Sequence, residues 1–554
     1  MRAVSVEIRD WLRFSKDSPN SCSHDKKLTK NKEEPLTYQY GTMKYTSTRN
    51  ESLSCSFEDA ICSGYAPDGG LYVPEKLPAV TAEMLQEWVL LSYPQLAAAV
   101  LRLFIAPQEV SDDDLLQICT SAFEGFTDPD HAVPVVKVGS LYIAELFHGP
   151  TFCFKDLGMR GVINLLSYFV LKRKRPITLL VSTTGDTGPA ALQAVSDVAN
   201  PLLTIVVHYP NDQISDFQRK QLTTIVSPYI RVVAFQGGGD DMDRPIKNIL
   251  AGQTQDENAT TALLTGVNSY NIGRPLLQSV HYVWVYLRVM EQIHKTPGDP
   301  DTVVDIILPT GAMGNIAGGY MAKKMGVPLG RLNSGVNAND ITFRVLQTGA
   351  FYKSPAMVRT LSEAINVQLP YNFERLLYYV TDGNHEQVKE WMAEVDATNK
   401  MDLPAAWLER MQQEFACERV TDDEMCAKTQ QLKKEYNYLV DPHTAVALAA
   451  AEKLGYQLAA GEDGGAGAAT STPAAILSTA SPCKFEESVT VAVGKDAWQD
   501  YATSDLFPAA GKALMERAEI PPTIYEAIEG ASLETTQSEW EKLALGIIQE
   551  LYTK

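Results

Sequence analysis

Cysteine is scarce: eight residues in 554, at positions 22, 55, 62, 119, 153, 417, 426 and 483. None forms a C-x-x-C pair or has a histidine nearby in ligand spacing, which argues against structural zinc and a dense disulfide scaffold. A reducing compartment, the cytoplasm, is the expected home. Positive charge is also short. Against 68 Asp and Glu stand 48 Lys and Arg, for a formal charge of −20 and a pI near 4.9. That balance excludes a general attraction to nucleic acid or an anionic membrane, so an anionic ligand must be held by a local positive site. No run of about twenty apolar residues exists, which excludes a membrane-spanning helix. What the chain does have is 45% apolar against 21% charged residues, enough to bury large cores divided over several domains.

Residues 1–42 mix charged and polar side chains around "VEIRDWLRF" and lack the apolar core of a secretory signal. They also carry acids (Glu7, Asp10, Asp17, Asp25, Glu33, Glu34) that a mitochondrial address avoids. They read as a weakly ordered extension. Residues 43–140 form a mostly helical leading region, with apolar residues at helical spacing in "TAEMLQEWVLLSYPQLAAAVLRLF" and a turn at "APDGGLYVP". The rhythm then changes. "LYIAEL", "ITLLVS", "LLTIVVH" and "IRVVAF" are short buried strands separated by amphipathic stretches long enough for crossover helices. The rhythm returns at "VVDIILPT" and "LGRLNSGV". The fold class is α/β: two wound units, 141–265 and 266–554, with largely parallel sheets and a ligand cleft between them. The second unit is helical and charged from 350 to about 440, and its segment 459–475, "AAGEDGGAGAATSTPAA", has the composition of a flexible loop.

Five segments can carry chemistry. In "FHGPTFCFKDLGMRG", residues 147–161, Lys155 stands where a loop becomes an amphipathic helix, between Phe152 and Phe154 and beside Asp156. Desolvation and the positive end of a helix favour a neutral amine, the form that acts as nucleophile or base. The alternative is a surface lysine with its stem on apolar neighbours. Cys153 reads as a small buried packing residue. "VSTTGDTGPAA" lets backbone N–H groups approach an anion and adds the hydroxyls of Ser182, Thr183, Thr184 and Thr187 around Asp186. It serves equally as a helix-capping turn, with Asp186 or Thr187 as cap. "ILPTGAMGNIAGG" is strand, tight turn and helix. A phosphate at Gly311, Ala312, Met313, Gly314 and Asn315 would meet backbone N–H groups and the helix dipole together, unless the glycines serve geometry alone. "VNSYNIGRPLLQSVHYVW" offers Asn268, Ser269, Asn271 and Arg274 ahead of an apolar helix, with His281 as a packed core residue. Arg274 either clamps a second anion or pairs with a surface carboxylate. In "LVDPHTAVALAAAEKLG", Thr444 opens an alanine-rich helix as a cap or as a hydroxyl donor to a ligand, and His443 shares the ambiguity.

In this order and spacing, "HGPTFCFKDLG", "TTGDTG" and "PTGAMGN" resemble the threonine synthase family, in its fungal-type and threonine synthase-like branch. "YTSTRN", "GYAPDGGLYVP", "YPNDQISDFQRKQLTT", "NSYNIGR", "GVNANDI" and "DPHTAVA" extend the resemblance over roughly 43–500. The resemblance implies pyridoxal-phosphate fold type II, like tryptophan synthase β, with pyridoxal 5′-phosphate as cofactor. It implies Lys155 as the Schiff-base lysine, 311–315 as the loop for the cofactor phosphate, and Thr444 as the hydroxyl facing the pyridine nitrogen. Thr183, Thr184, Asp186 and Thr187 would receive the amino-acid end of the substrate. Ser269, Asn271 and Arg274 would hold its phosphate, with Arg160 and Lys220 as weaker candidates. The implied reaction converts O-phosphohomoserine and water to L-threonine and phosphate, in a monomer or homodimer and without a metal. A threonine synthase-like phospholyase releasing phosphate and 2-oxobutyrate is a second reading; a non-catalytic binding pseudoenzyme is a third, against which an intact Lys155 counts. The chain departs from the family pattern at Ala312, where many members have Asn, at Pro275, and at Ser481, where a histidine is expected. Because the site must hold several anionic groups, its loops are expected to present neutral donors and no carboxylates.

Overall fold

A computed structural model describes residues 43–252, 262–458 and 472–552. The extension expected at 1–42 lies outside the described residues, as does most of the segment 459–475. No helix among the described residues is long and apolar enough to cross a membrane.

The short apolar runs pair into two sheets. One has five parallel strands in the spatial order Thr523–Tyr525, Ile230–Phe235, Leu203–Pro210, Ile177–Ser182, Leu263–Gly266. Ile177–Ser182 and Leu203–Pro210 are buried at every position, which is why their sequences run apolar without alternation. The other sheet has six strands in the order Phe415–Arg419, Leu329–Val336, Val304–Pro309, Ala474–Ser478, Leu141–Glu145, Val135–Val138. Its pairs are parallel except for the last.

Sheet membership cuts across the division at 265. Leu141–Glu145, assigned by rhythm to the first unit, pairs with Ala474–Ser478, two strands from Val304–Pro309; Thr523–Tyr525, near the C-terminus, pairs with Ile230–Phe235. An apolar run shows that a strand is buried but not which neighbour it takes. Two smaller corrections have the same origin. Phe415–Arg419, "FACER", is a strand inside the stretch read as helical, its apolar run too short to stand out. Ala474 and Ala475, grouped by composition with the linker, open a fully buried strand.

The leading region combines a three-stranded antiparallel sheet, Asn50–Cys55, Tyr45–Ser47 and Tyr72–Pro74, with helices Phe57–Ser63, Ala82–Trp88, Tyr93–Arg102 and Asp112–Phe123. Ser56, Thr81 and Ser111 cap three of these helices by accepting a first-turn N–H. Asp112–Phe123 packs on the long helix Lys155–Arg173, and that helix in turn packs on Gly273–Gln292. Gly273–Gln292 is buried along nearly its whole length and packs on Gly314–Met325 as well, so it is shared by both halves of the molecule. Pro275 sits in its first turn, where a missing N–H costs nothing, so this departure leaves the helix intact.

Candidate active site

The lysine segment is held by its own turn. Asp156, in the first turn of Lys155–Arg173, accepts the Thr151 N–H at 2.8 Å and the Thr151 hydroxyl at 2.7 Å. A side chain at Gly149 would bring its Cβ to 2.5 Å from Asp156 Oδ2, so only glycine lets the loop close this tightly. Phe152 takes a left-handed φ of 59° and sets its ring edge-on to Phe217. The loop is stitched to the segment after Ala474–Ser478: Phe154 N–H donates to Thr479 O at 2.8 Å and Ser481 N–H to Phe152 O at 3.0 Å. Cys153 is fully buried, and burial pushes its thiol up to about 11, the packing role expected of it.

Lys155 reaches a cavity, and its amine, 5.4 Å from the centre of the Phe154 ring, has a carboxylate partner. Its Nζ donates to Asp186 Oδ2 at 3.1 Å. The other oxygen of Asp186 accepts from Lys484 Nζ at 2.9 Å and from Gln218 Nε2 at 2.9 Å. Burial alone would raise the Asp186 pKa, but the charges of Lys155, Lys484 and His443 more than offset it and hold this carboxyl well below the usual range. Asp186 therefore faces the amine as an anion. Thr184 and Thr187 line the same cavity. Thr183 does too, but its hydroxyl accepts from Gly185 N–H at 3.1 Å and Gly188 N–H at 2.9 Å, the capping work expected of Asp186 or Thr187.

Opposite stands the turn Gly311 to Asn315, between Val304–Pro309 and helix Gly314–Met325. All five residues line the cavity. Met313 adopts φ 62° at the helix start, and the N–H groups of the first turn have no intrahelical acceptor. A Cβ on Gly314 would lie 2.5 Å from Ser269 Cβ, so glycine keeps this cradle open. Ser269 thus lies against the turn, and Asn372 bridges them, donating to Ser269 Oγ at 2.9 Å and Ala312 O at 3.2 Å. His281 is the buried core histidine expected, bonded to Asn315 Oδ1 at 2.8 Å, with its pKa lowered to about 4 by burial.

Arg274 also lines the cavity. Its Nη1 donates to Val267 O at 2.9 Å, burial lowers its pKa to about 10, and among the described residues no carboxylate pairs with it. Three other expected residues go elsewhere. Asn271 spends its amide on Ile61 O at 2.8 Å and Gly266 O at 3.0 Å and does not line the cavity. Arg160 binds Ala122 O and Asp197, and Lys220 binds Arg517 O at 2.9 Å. Thr444 is fully buried just beneath the cavity, its hydroxyl bonded to Asp441 and 3.0 Å from Ser478 Oγ; Asp441 caps the helix, and His443 lines the cavity.

The expectation of a cavity free of carboxylates fails: Asp240 and Asp243 line it along with Asp186. Burial raises both pKa values, and Asp240 adds to the rise at Asp243, so this wall favours neutral acids over anions. Neither acid belongs to a segment singled out in the sequence; Asp240 accepts the Gln368 N–H at 3.1 Å, and helix Leu533–Tyr552 packs over helix Asp243–Ala251.

Pyridoxal 5′-phosphate fits these residues. Arg274 Nε, Gln278 Oε1 and Asn315 Nδ2 are buried without partners among the described residues, each belongs to a cavity-lining residue, and a bound group would satisfy them. Lys155 offers an amine for an aldehyde, and the helix N-terminus at 311–315 offers N–H groups for a phosphate.

Comparison with known proteins agrees. A family model described as threonine synthase N terminus matches residues 44–123, and one described as pyridoxal-phosphate dependent enzyme matches 134–466. Threonine synthase-like 2 of Pongo abelii is 34% identical over 450 residues, covering 81% of this chain and 89% of its own. Threonine synthase of Saccharomyces cerevisiae is 33% identical over 476 residues, covering 80% and 88%. The crystal structure of PLP-bound threonine synthase from Brucella melitensis superposes with a TM-score of 0.75 at 30% identity, covering 90% of this chain and 99% of that one.

Proposed function

Since the chain belongs to the threonine synthase family of pyridoxal-phosphate-dependent enzymes, we propose that it converts O-phosphohomoserine and water to L-threonine and phosphate. The observation that carries this reading is the meeting, around one cavity, of an amine at Lys155, a phosphate cradle at 311–315 and a second cation, Arg274, with no carboxylate of its own among the described residues. One phosphate occupies the cradle; a second, on the substrate, is what an uncompensated buried guanidinium suits.

The cofactor, when bound, supplies an electron sink for negative charge developing at the substrate's Cα. The chain does the rest. Thr184 and Thr187, at the start of helix Thr187–Val198, hold the substrate carboxylate. Lys155 takes the Cα proton on Nζ, and Asp186, 3.1 Å away, keeps that atom aimed. Arg274 binds the phosphate oxygens and stabilises them as the Cγ–O bond breaks. The apolar wall of Ile365, Val367 and Leu369 limits water to what the replacement step consumes. The seven described cysteines are free thiols, which suits a reducing cytoplasm.

A second reading, a phospholyase releasing phosphate and 2-oxobutyrate, is favoured by two observations: the likeness to threonine synthase-like 2 is as high as to the yeast synthase, and Ser481 replaces an expected histidine. Incubating the protein with pyridoxal 5′-phosphate and O-phosphohomoserine decides between them. The synthase reading predicts threonine and phosphate in equal amounts, and 2-oxobutyrate alone would refute it.

A further inference from the structure

Lys484 carries no motif and does not line the cavity, yet it is a fully buried charge beside it. It ends the short 3-10 turn Pro482–Lys484 and is fully buried. Its Nζ donates to Asp186 Oδ1 at 2.9 Å and to Thr151 O at 2.9 Å, while Lys155 takes Asp186 Oδ2 at 3.1 Å. Two ammonium groups thus share one carboxylate, one sealed from the cavity and one facing it. The other ionisable groups around the trio are His443 at the start of helix Pro442–Lys453, Asp156 and Cys153 in the lysine segment, and Glu363 across the wall. None of these is hydrogen-bonded to Asp186.

We propose that Lys484 is a positioning residue that keeps Asp186 a carboxylate while the charge on Lys155 comes and goes, so that Asp186 holds the Lys155 amine toward the cavity throughout turnover. The inference rests on Lys155 being the lysine that joins the cofactor. A lysine in that role alternates between a charged amine and forms without that charge. A fully buried carboxylate whose only counter-charge was Lys155 would be driven toward the neutral acid each time that charge vanished. A merely structural tie between the Asp186 loop and Thr151 O could be made by a neutral donor, without burying an ammonium. A constant cation on the far oxygen removes the alternation, and Lys484 is placed to be that cation.

The test is covalent capture of Lys155 in the full-length protein. The amine adds to the aldehyde of pyridoxal 5′-phosphate, water leaves, and cyanoborohydride reduces the imine to a stable secondary amine. Peptide mass then gives the labelled fraction across a pH series. In Lys484→Met, Lys155 has Asp186 to itself, holds its proton more tightly, and the capture midpoint rises by about one pH unit or more. In Asp186→Asn, Lys155 faces Lys484 uncompensated and the midpoint falls by about as much. Lys484→Arg, which keeps the charge, stays close to the parent. A loosened fold would not move the two profiles in opposite directions. Unmoved midpoints, or both moving the same way, overturn the proposal. Should Lys484→Met fail to fold, Asp186→Asn decides alone, and the absence of a downward shift overturns it. If the parent protein captures no cofactor on Lys155 at any pH, the assignment of Lys155 itself falls; if the parent captures and the variants coincide with it, only the role of Lys484 falls.

Discussion

Arg274 is a cation with no carboxylate partner among the described residues: buried in the first turn of Gly273–Gln292, Nη1 bonded to Val267 O and 3.9 Å from Met159 Sδ, Nε bare. Arg274→Ala is therefore expected to raise the KM for O-phosphohomoserine by about tenfold or more while the cofactor absorbance is retained. Steady-state kinetics beside a visible spectrum checks this, and an unchanged KM would remove Arg274 from the substrate site. Single residues were legible in the sequence where a local pattern forces their placement. Lys155 follows a strand and opens a helix, and the 311–315 turn does the same between its own strand and helix, so both had to emerge at an edge. Asn271 was not legible, because an amide beside a loop serves carbonyls as readily as ligands and only the packing against Ile61 decides. Asp240, Asp243 and Lys484 were missed because the groups packed around them come from segments far away in the chain, as with Gln368 against Asp240 and Thr151 against Lys484.

Helices at the periphery set the shape of the cavity wall. Leu533–Tyr552 turns Trp540, Ala544 and Ile548 inward at helical spacing against Ile246, Ile249 and Leu250 of helix Asp243–Ala251. Trp540 is fully buried, packs at a tilt against Phe235, and donates from Nε1 to Glu526 O at 3.0 Å. Trp540→Ala should cost about 3–5 kcal/mol. In a chain of this size that is a drop of about 3–5 °C in Tm, read by calorimetry. An unaltered Tm would show that the C-terminal helix does not brace this wall. The sequence showed which segments are strands and helices wherever the apolar run was long, as in "ITLLVS" and "VVDIILPT". "FACER" escaped because three apolar residues between charged helices satisfy either period.

At the scale of the molecule, the two sheets exchange chain, so neither is continuous in sequence. Leu141–Glu145 delivers the Lys155 loop from the six-stranded sheet, and Ile177–Ser182 delivers the Asp186 loop from the five-stranded one. The site exists only where they meet, and pairing partners are what no local pattern encodes. The same meeting buries acids. Glu363 is raised by burial to about 7. A carboxyl with a raised folded pKa adds stability that is complete below its unfolded value and lost as pH rises through the folded value. The parent should thus lose stability between about pH 4.5 and about pH 7 in a way that Glu363→Gln does not. The Tm of Glu363→Gln is expected to match the parent near pH 5 and exceed it by about 1–3 °C at pH 8. Parallel melting profiles across that range would contradict the burial of this acid.

The account turns on one amine meeting one aldehyde between the two sheets. Reducing the cofactor-loaded protein with borohydride and mapping its peptides tests that most directly. The pyridoxyl group is expected on Lys155 alone, in the peptide that also holds Asp156, and lost in Lys155→Ala. A label on Lys484 or any other lysine, or a loaded protein that reduction leaves unlabelled, would contradict it.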